Sequence, residues 1–85
     1  MAKMHLDIVT PEKPIVSTEI DELVAPGAMG EFGVLPGHTT LFSALGSGRL
    51  VYYQGNQSKS LEVSGGFAEV CNDRITVMAD SVKEN

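Results

Sequence analysis

Tryptophan is absent from the 85 residues, and the other aromatics are three phenylalanines and two tyrosines. An aromatic-lined ligand cavity therefore has little to be built from. Cysteine occurs once, at Cys71. No intramolecular disulfide can form, which fits a reducing compartment. The two histidines, His5 and His38, are far apart and show neither H-x-H nor H-E-x-x-H spacing. With a single cysteine beside them they fall short of the ligand set a zinc site takes, so no metal is expected. Lysine and arginine number 6 against 11 acidic residues, and no basic run or stripe occurs. That argues against a nucleic-acid groove. No apolar run approaches the ~20 residues that span a bilayer, so direct membrane insertion is not expected. The opening MAKMHLDIVTPE has neither the apolar stretch nor the cleavage site of a signal peptide. Phosphate loops are missing too. No lysine follows GEFG or GSG, and Gly65-Gly66 lacks G-x-G-x-x-G spacing. No cofactor is expected.

What the chain does have is alternation. Met4, Leu6 and Ile8 alternate with His5, Asp7 and Val9, a period of two that predicts a strand. Pro11 and Pro14 punctuate, because proline cannot donate to a sheet ladder. Val16, Thr18 and Ile20 resume the pattern, which breaks at Asp21-Glu22 before Leu23. A retained apolar face with one extra residue predicts a β-bulge there. Residues 25–38 are too rich in glycine and proline for a helix. They predict a loop, a short strand and a tight turn at Pro36-Gly37. Residues 39–45 (TTLFSAL) read as extended, and Gly46-Ser47-Gly48 as a turn. RLVYY and SLEVS flank Gly55-Asn56, and FAEVC and RITVMA flank Asn72-Asp73. Both read as hairpins. Gly65-Gly66 marks a bulge or a close backbone approach. The polar tail, residues 80–85, is the only candidate for a helix start.

The fold expected is all-β, a single domain over residues 1–85. About eight to ten short strands would form a flattened antiparallel sandwich or barrel. A domain this small buries only about 60–65% of its unfolded surface, so a deep cleft between lobes is not expected. The formal charge of −5 favours basic or neutral partners.

Catalytic constellations are weak. Asp21 and Glu22 are adjacent, so on a regular strand they face opposite ways. Cys71 reads as a small buried apolar residue. The distinctive segment is GEFGVLPGH, residues 30–38. It is either a packed loop whose glycines satisfy backbone geometry, or a projecting edge presenting Glu31 and His38 to a partner. A rigid, oddly shaped loop on a chain without a cleft points to a binding module rather than a catalyst.

HLDIVTPE (residues 5–12), GEFGVLPGHTTL (30–41), LGSGRL (45–50), VSGGFAEV (63–70) and ITVMAD (75–80) run in order along the chain. In these segments the chain resembles the N-terminal β-sandwich domain of the epsilon-subunit family of bacterial F-type ATP synthases, called delta in mitochondria. The resemblance implies a non-catalytic rotor component of the central stalk, coupling proton or sodium translocation to ATP synthesis. It implies two partners, the gamma subunit and the polar loops of the c-subunit ring. Ring docking falls on Glu31, Phe32, Gly33 and His38, where Glu31 could make a charge-assisted hydrogen bond to the loops. The gamma contact is placed at Leu41 and Phe42. The implied location is the cytoplasmic face of the bacterial inner membrane, peripheral through the complex. An uncovered apolar gamma face would let the isolated domain self-associate weakly. Family members continue into two C-terminal helices that inhibit hydrolysis and in some bacteria bind ATP. The sequence ends where these would begin, so neither role is expected of it. A domain separated from its helical partner is expected, rather than a naturally short subunit. The alternative function is a stand-alone small-ligand-binding β-sandwich.

Overall fold

The computed structural model describes residues 3–84. Eight strands follow one another: β1 (Met4–Val9), β2 (Pro14–Ile20), β3 (Glu22–Gly27), β4 (Gly30–Val34), β5 (Leu41–Ala44), β6 (Ser47–Gln54), β7 (Gln57–Cys71) and β8 (Arg74–Glu84). They hydrogen-bond in the order β2-β1-β8-β7-β6-β3-β4, and β5 precedes β6 along the same edge of β7, opposite β8. The all-β class expected from the alternation holds.

The long strands β7 and β8 make two layers from one ladder. The first half of β7 pairs with β6, and its second half pairs with β5. Between the halves lie Gly65 and Gly66. Leu61 and Val63 are buried before them, Ala68 and Val70 after them, so the inward phase shifts by one residue. β8 shifts with its partner: Ile75, Val77 and Ala79 are buried, and the next residue packed on the core is Val82. At Gly66, where φ is +113°, a Cβ would lie 2.0 Å from the Met78 carbonyl oxygen. Only glycine permits that approach. The glycine pair is thus the close contact its sequence predicts, and it is the corner on which the sheet folds.

Burial follows the alternation. Met4, Leu6 and Ile8 of β1, Leu23 and Ala25 of β3, Val34 of β4 and Leu50 of β6 all sit at 5% exposure or less. Each fully buried leucine or isoleucine contributes about 1.5–3 kcal/mol. No polar or charged residue among those described is buried, so the core carries no unpaired polar group.

Both predicted hairpins form. The loops are Gly55-Asn56 and Asn72-Asp73, and the latter has φ of 51° and 60° at its two central residues. Two left-handed residues match the right-handed twist of the flanking strands.

Five expectations are corrected. β1 and β8 run parallel, with Leu6 opposite Ile75 and Ile8 opposite Val77, so the sandwich is not wholly antiparallel. Asp21-Glu22 is not a bulge but the step from one layer to the other. Asp21 accepts hydrogen bonds from Lys3 Nζ (2.8 Å) and the Gly55 N–H (2.6 Å), which ends β2 and turns the chain away. Gly46-Ser47-Gly48 is not a turn, because the chain runs on along β7 from β5 through Leu45 and Gly46 into β6, which begins at Ser47. The polar tail is not a helix start over its described part. It continues β8, with Val82 opposite Val63 and Glu84 opposite Leu61; Asn85 lies outside the described residues. Cys71 is exposed rather than buried, since it shares the outward phase of Phe67 and Glu69.

Candidate functional site

The GEFGVLPGH segment forms edge strand β4 and the turn that follows it. Glu31 pairs with Pro26 and Gly33 with Val24 across the β3–β4 hairpin, and among the described residues no strand pairs with the far side of β4. Successive side chains alternate. Glu31 and Gly33 are exposed, Phe32 packs against the core, and Val34 is fully buried. Only part of the sequence-predicted docking set therefore faces outward on β4. Glu31 has no hydrogen-bond or ion-pair partner among the described residues. It is an exposed acceptor without a neighbour.

Beyond β4 the chain turns at Pro36-Gly37. Gly37 has φ of +84°, and the His38 N–H donates to Leu35 O at 3.1 Å. Proline at the second position and a left-handed glycine at the third make this a type II turn. His38 Nδ1 lies 2.7 Å from Thr39 O. A carbonyl can only accept, so Nδ1 carries the proton and Nε2 is left for a partner. Glu31 and His38 lie along one edge rather than converging, because three strand steps carry the chain about 10 Å from Glu31 to Val34. They do not make an acid–base pair.

The second feature is an apolar row across the outer face of the β2-β1-β8-β7-β5 layer. Register places Ala44 beside Phe67, Phe67 beside Met78, and Met78 beside Val9. Phe42 lies diagonal to Phe67, and their rings stack at 5.2 Å with an interplanar angle of 17°. Phe42, Phe67 and Met78 are 63%, 48% and 39% exposed. A stacked aromatic pair left in water is unusual on a monomer, and contiguous apolar patches mark interaction sites. Leu41 does not join it. It faces Val70 and packs on the core, the opposite side of β5 from Phe42. Sequence reasoning missed Phe67 and Met78, although the signal was there: a two-residue loop at Asn72-Asp73 fixes their pairing.

On the same face, two register rows further along and beyond Asp7, Thr76 and Glu69, the surface is polar. Glu19 lies beside His5, His5 beside Arg74, and Arg74 beside Cys71. His5 Nδ1 is 2.8 Å from Glu19 Oε2, and Nε2 is 3.3 Å from Asp7 Oδ1 and 3.1 Å from Ser17 Oγ. The bond to Glu19 is the main cause that raises the His5 pKa, with Asp7 adding to it. Asp7 is held below the usual carboxylate range, first by the Ser17 hydroxyl and then by His5 and Arg74. Because the two carboxylates grip opposite ring nitrogens, they share no point at which an ion could sit. No metal-ligating cluster occurs among the described residues.

A groove of about 600 Å³ opens at the far side, between Ile15 and Val16 of β2 and the β6–β7 hairpin. Its one aromatic is Tyr52, whose hydroxyl pKa is raised by burial and by Glu84. This is not the aromatic-lined pocket a small-ligand sandwich would need. Among the described residues no helix is long and apolar enough to cross a membrane.

Known proteins share this architecture and sequence. A chain of the Euglena gracilis mitochondrial ATP synthase, solved as OSCP/F1/c-ring, superposes with a TM-score of 0.91 at 24% identity, over 99% of this chain and 54% of that one. A chain of the Tetrahymena thermophila mitochondrial ATP synthase central stalk and c-ring gives 0.82 at 16% identity, over 98% of this chain and 67% of that one. At these identities the likeness is one of fold. Sequence relatives are nearer. The ATP synthase epsilon chain of Desulforamulus reducens is 55% identical over 84 residues, 98% of this chain and 64% of the relative. That of Maridesulfovibrio salexigens is 46% identical over 79 residues, 93% of this chain and 56% of the relative. The chain thus spans about six-tenths of the length of these relatives. The family model for the β-sandwich domain of the ATP synthase delta/epsilon chain matches residues 3–85, and the chain belongs to that family.

Proposed function

We propose that this domain is a non-catalytic rotor module of an F-type ATP synthase. It binds the gamma subunit through its outer apolar row and rests on the polar loops of the c-ring through the β4 edge. In this role it helps couple proton or sodium translocation to ATP synthesis, at the cytoplasmic face of the bacterial membrane. The observation that carries the reading is the exposed Phe42–Phe67 stack with Met78 beside it. Such a patch is energetically unfavourable in water and favourable under a partner, and aromatic anchors carry most of the energy in interfaces. Glu31, unpartnered on an edge strand, and the free His38 Nε2 supply the polar half. They suit a ring loop carrying basic or amide groups. A stiff two-layer core transmits force between the two contacts without deforming.

Titration of the chain against purified gamma subunit by calorimetry tests this. One-to-one binding that is lost in the Phe42→Thr/Phe67→Thr double variant is expected. Equal binding by that variant would remove the apolar row from the interface. ATP hydrolysis by the purified chain, abolished by His38→Ala, would overturn the non-catalytic reading.

A further inference from the structure

We propose that Asp73 is a positioning residue for the docking edge: its carboxylate selects the conformation of the Pro36-Gly37 turn and turns the Pro36 carbonyl outward to meet a donor on the partner loop. This rests on the ring-docking reading of the β4 edge. Asp73 is 36 residues away in sequence, in the hairpin turn between β7 and β8, yet its Oδ1 accepts the Gly37 N–H at 2.7 Å. The contact matters because of which N–H it is. Type I and type II turns share the proline φ and differ by a flip of the central peptide, here the one joining Pro36 and Gly37. Glycine accepts either outcome, so the sequence Pro-Gly leaves the flip open. An acceptor fixed on one side of that peptide closes it. The N–H points to Asp73, and in a trans peptide the carbonyl of the same unit points the opposite way.

The mount is rigid. Asp73 has φ of +60° within a two-residue hairpin loop, and its own carbonyl accepts the His5 N–H at 2.9 Å. The turn in its turn sets His38, whose N–H closes onto Leu35 O. The edge therefore offers three acceptors, the Glu31 carboxylate, the Pro36 carbonyl and the His38 Nε2. The partner it fits is a loop carrying donors, such as arginine or side-chain amides.

Two substitutions separate positioning from folding. Asp73→Gly keeps the left-handed backbone but removes the acceptor, while Asp73→Asn keeps both. By NMR, exchange of the Gly37 amide should speed up by about tenfold or more in Asp73→Gly and stay slow in Asp73→Asn. In complexes assembled with each variant, proton pumping should fall in Asp73→Gly and recover in Asp73→Asn, while gamma affinity stays unchanged in both. Unchanged Gly37 exchange in Asp73→Gly would overturn the latch. A parallel loss of gamma binding would show a general structural role and overturn positioning. If Glu31→Ala/His38→Ala leaves pumping intact while Gly37 still loosens in Asp73→Gly, the docking reading fails and the turn selection stands.

Discussion

Two rows on one sheet face, with the Asp7–Thr76–Glu69–Phe42 row between them, were built from the same strands and solve opposite problems. In the row through Glu19, His5 and Arg74, charged groups answer one another within the chain. In the row through Ala44, Phe67, Met78 and Val9, apolar groups stay in water although the core beneath them is closed. The polar row finds its partners within the chain, and the apolar row does not. The difference teaches where to look for a partner: not at the residues with the most contacts, but at those whose contacts stop short.

Substitutions can break this contrast at several strengths. The largest effect is expected at the corner under the apolar row. Gly66→Ala puts a Cβ against the Met78 carbonyl at a φ that alanine rarely adopts. A loss of about 3 kcal/mol or more is expected in urea denaturation, and gamma binding should fall with it because Phe67 and Met78 lose their alignment. A stable, binding-competent Gly66→Ala protein would show that the corner is not what holds the row.

The Phe42→Thr/Phe67→Thr variant sharpens the contrast instead. Its affinity for gamma should drop by about 2 kcal/mol or more, as for aromatic anchors elsewhere. Stability should change much less, because both rings are substantially exposed. A stability loss as large as the affinity loss would make the stack structural.

For the polar row the probe is pH. His5 has a raised pKa in the folded chain, so its bonds to Glu19 and Asp7 stabilise fully below its ordinary value near 6.5 and fade as pH rises through the raised value. Asp7 and Asp21 are depressed, so their contributions are present above the ordinary value of 3.8 and fade as pH falls through the lowered values. The melting temperature should decline as pH rises from the ordinary histidine value through the raised value of His5, and this slope should flatten in His5→Gln. An unchanged slope would place the titration elsewhere.

The smallest expected effect on stability is at the β4 edge and the turn that follows it. Glu31→Ala/His38→Ala should weaken coupling in the assembled complex while changing stability by no more than about 0.5 kcal/mol. Loss of both together would mean these residues serve the fold.

Much of the sandwich could be read from the chain because a two-residue period reports which side of a strand is buried. Met4, Leu6 and Ile8, or Ile75 and Val77, announce themselves without a structure. Turn positions were equally local: Pro36-Gly37, Gly55-Asn56 and Asn72-Asp73 mark by their residue types where the chain reverses. The errors fell where the outcome depended on a distant group. Asp21 looked like a bulge because its captors, Lys3 and the Gly55 N–H, lie elsewhere in sequence. Residues 80–84 looked like a helix start because their polarity hid the β7 residues they pair with.

The β4 edge divides the same way. The sequence by itself determined that residues 30–38 form a strand and a tight turn, since proline fixes its own φ and glycine admits the positive φ such a turn takes. Only the tertiary structure decided that Phe42 stacks on Phe67, that Leu41 turns inward, and that Asp73 reaches the Gly37 N–H. Those facts depend on register and on contacts between segments far apart along the chain. A local pattern can require a turn, but only the rest of the fold can say which way it faces.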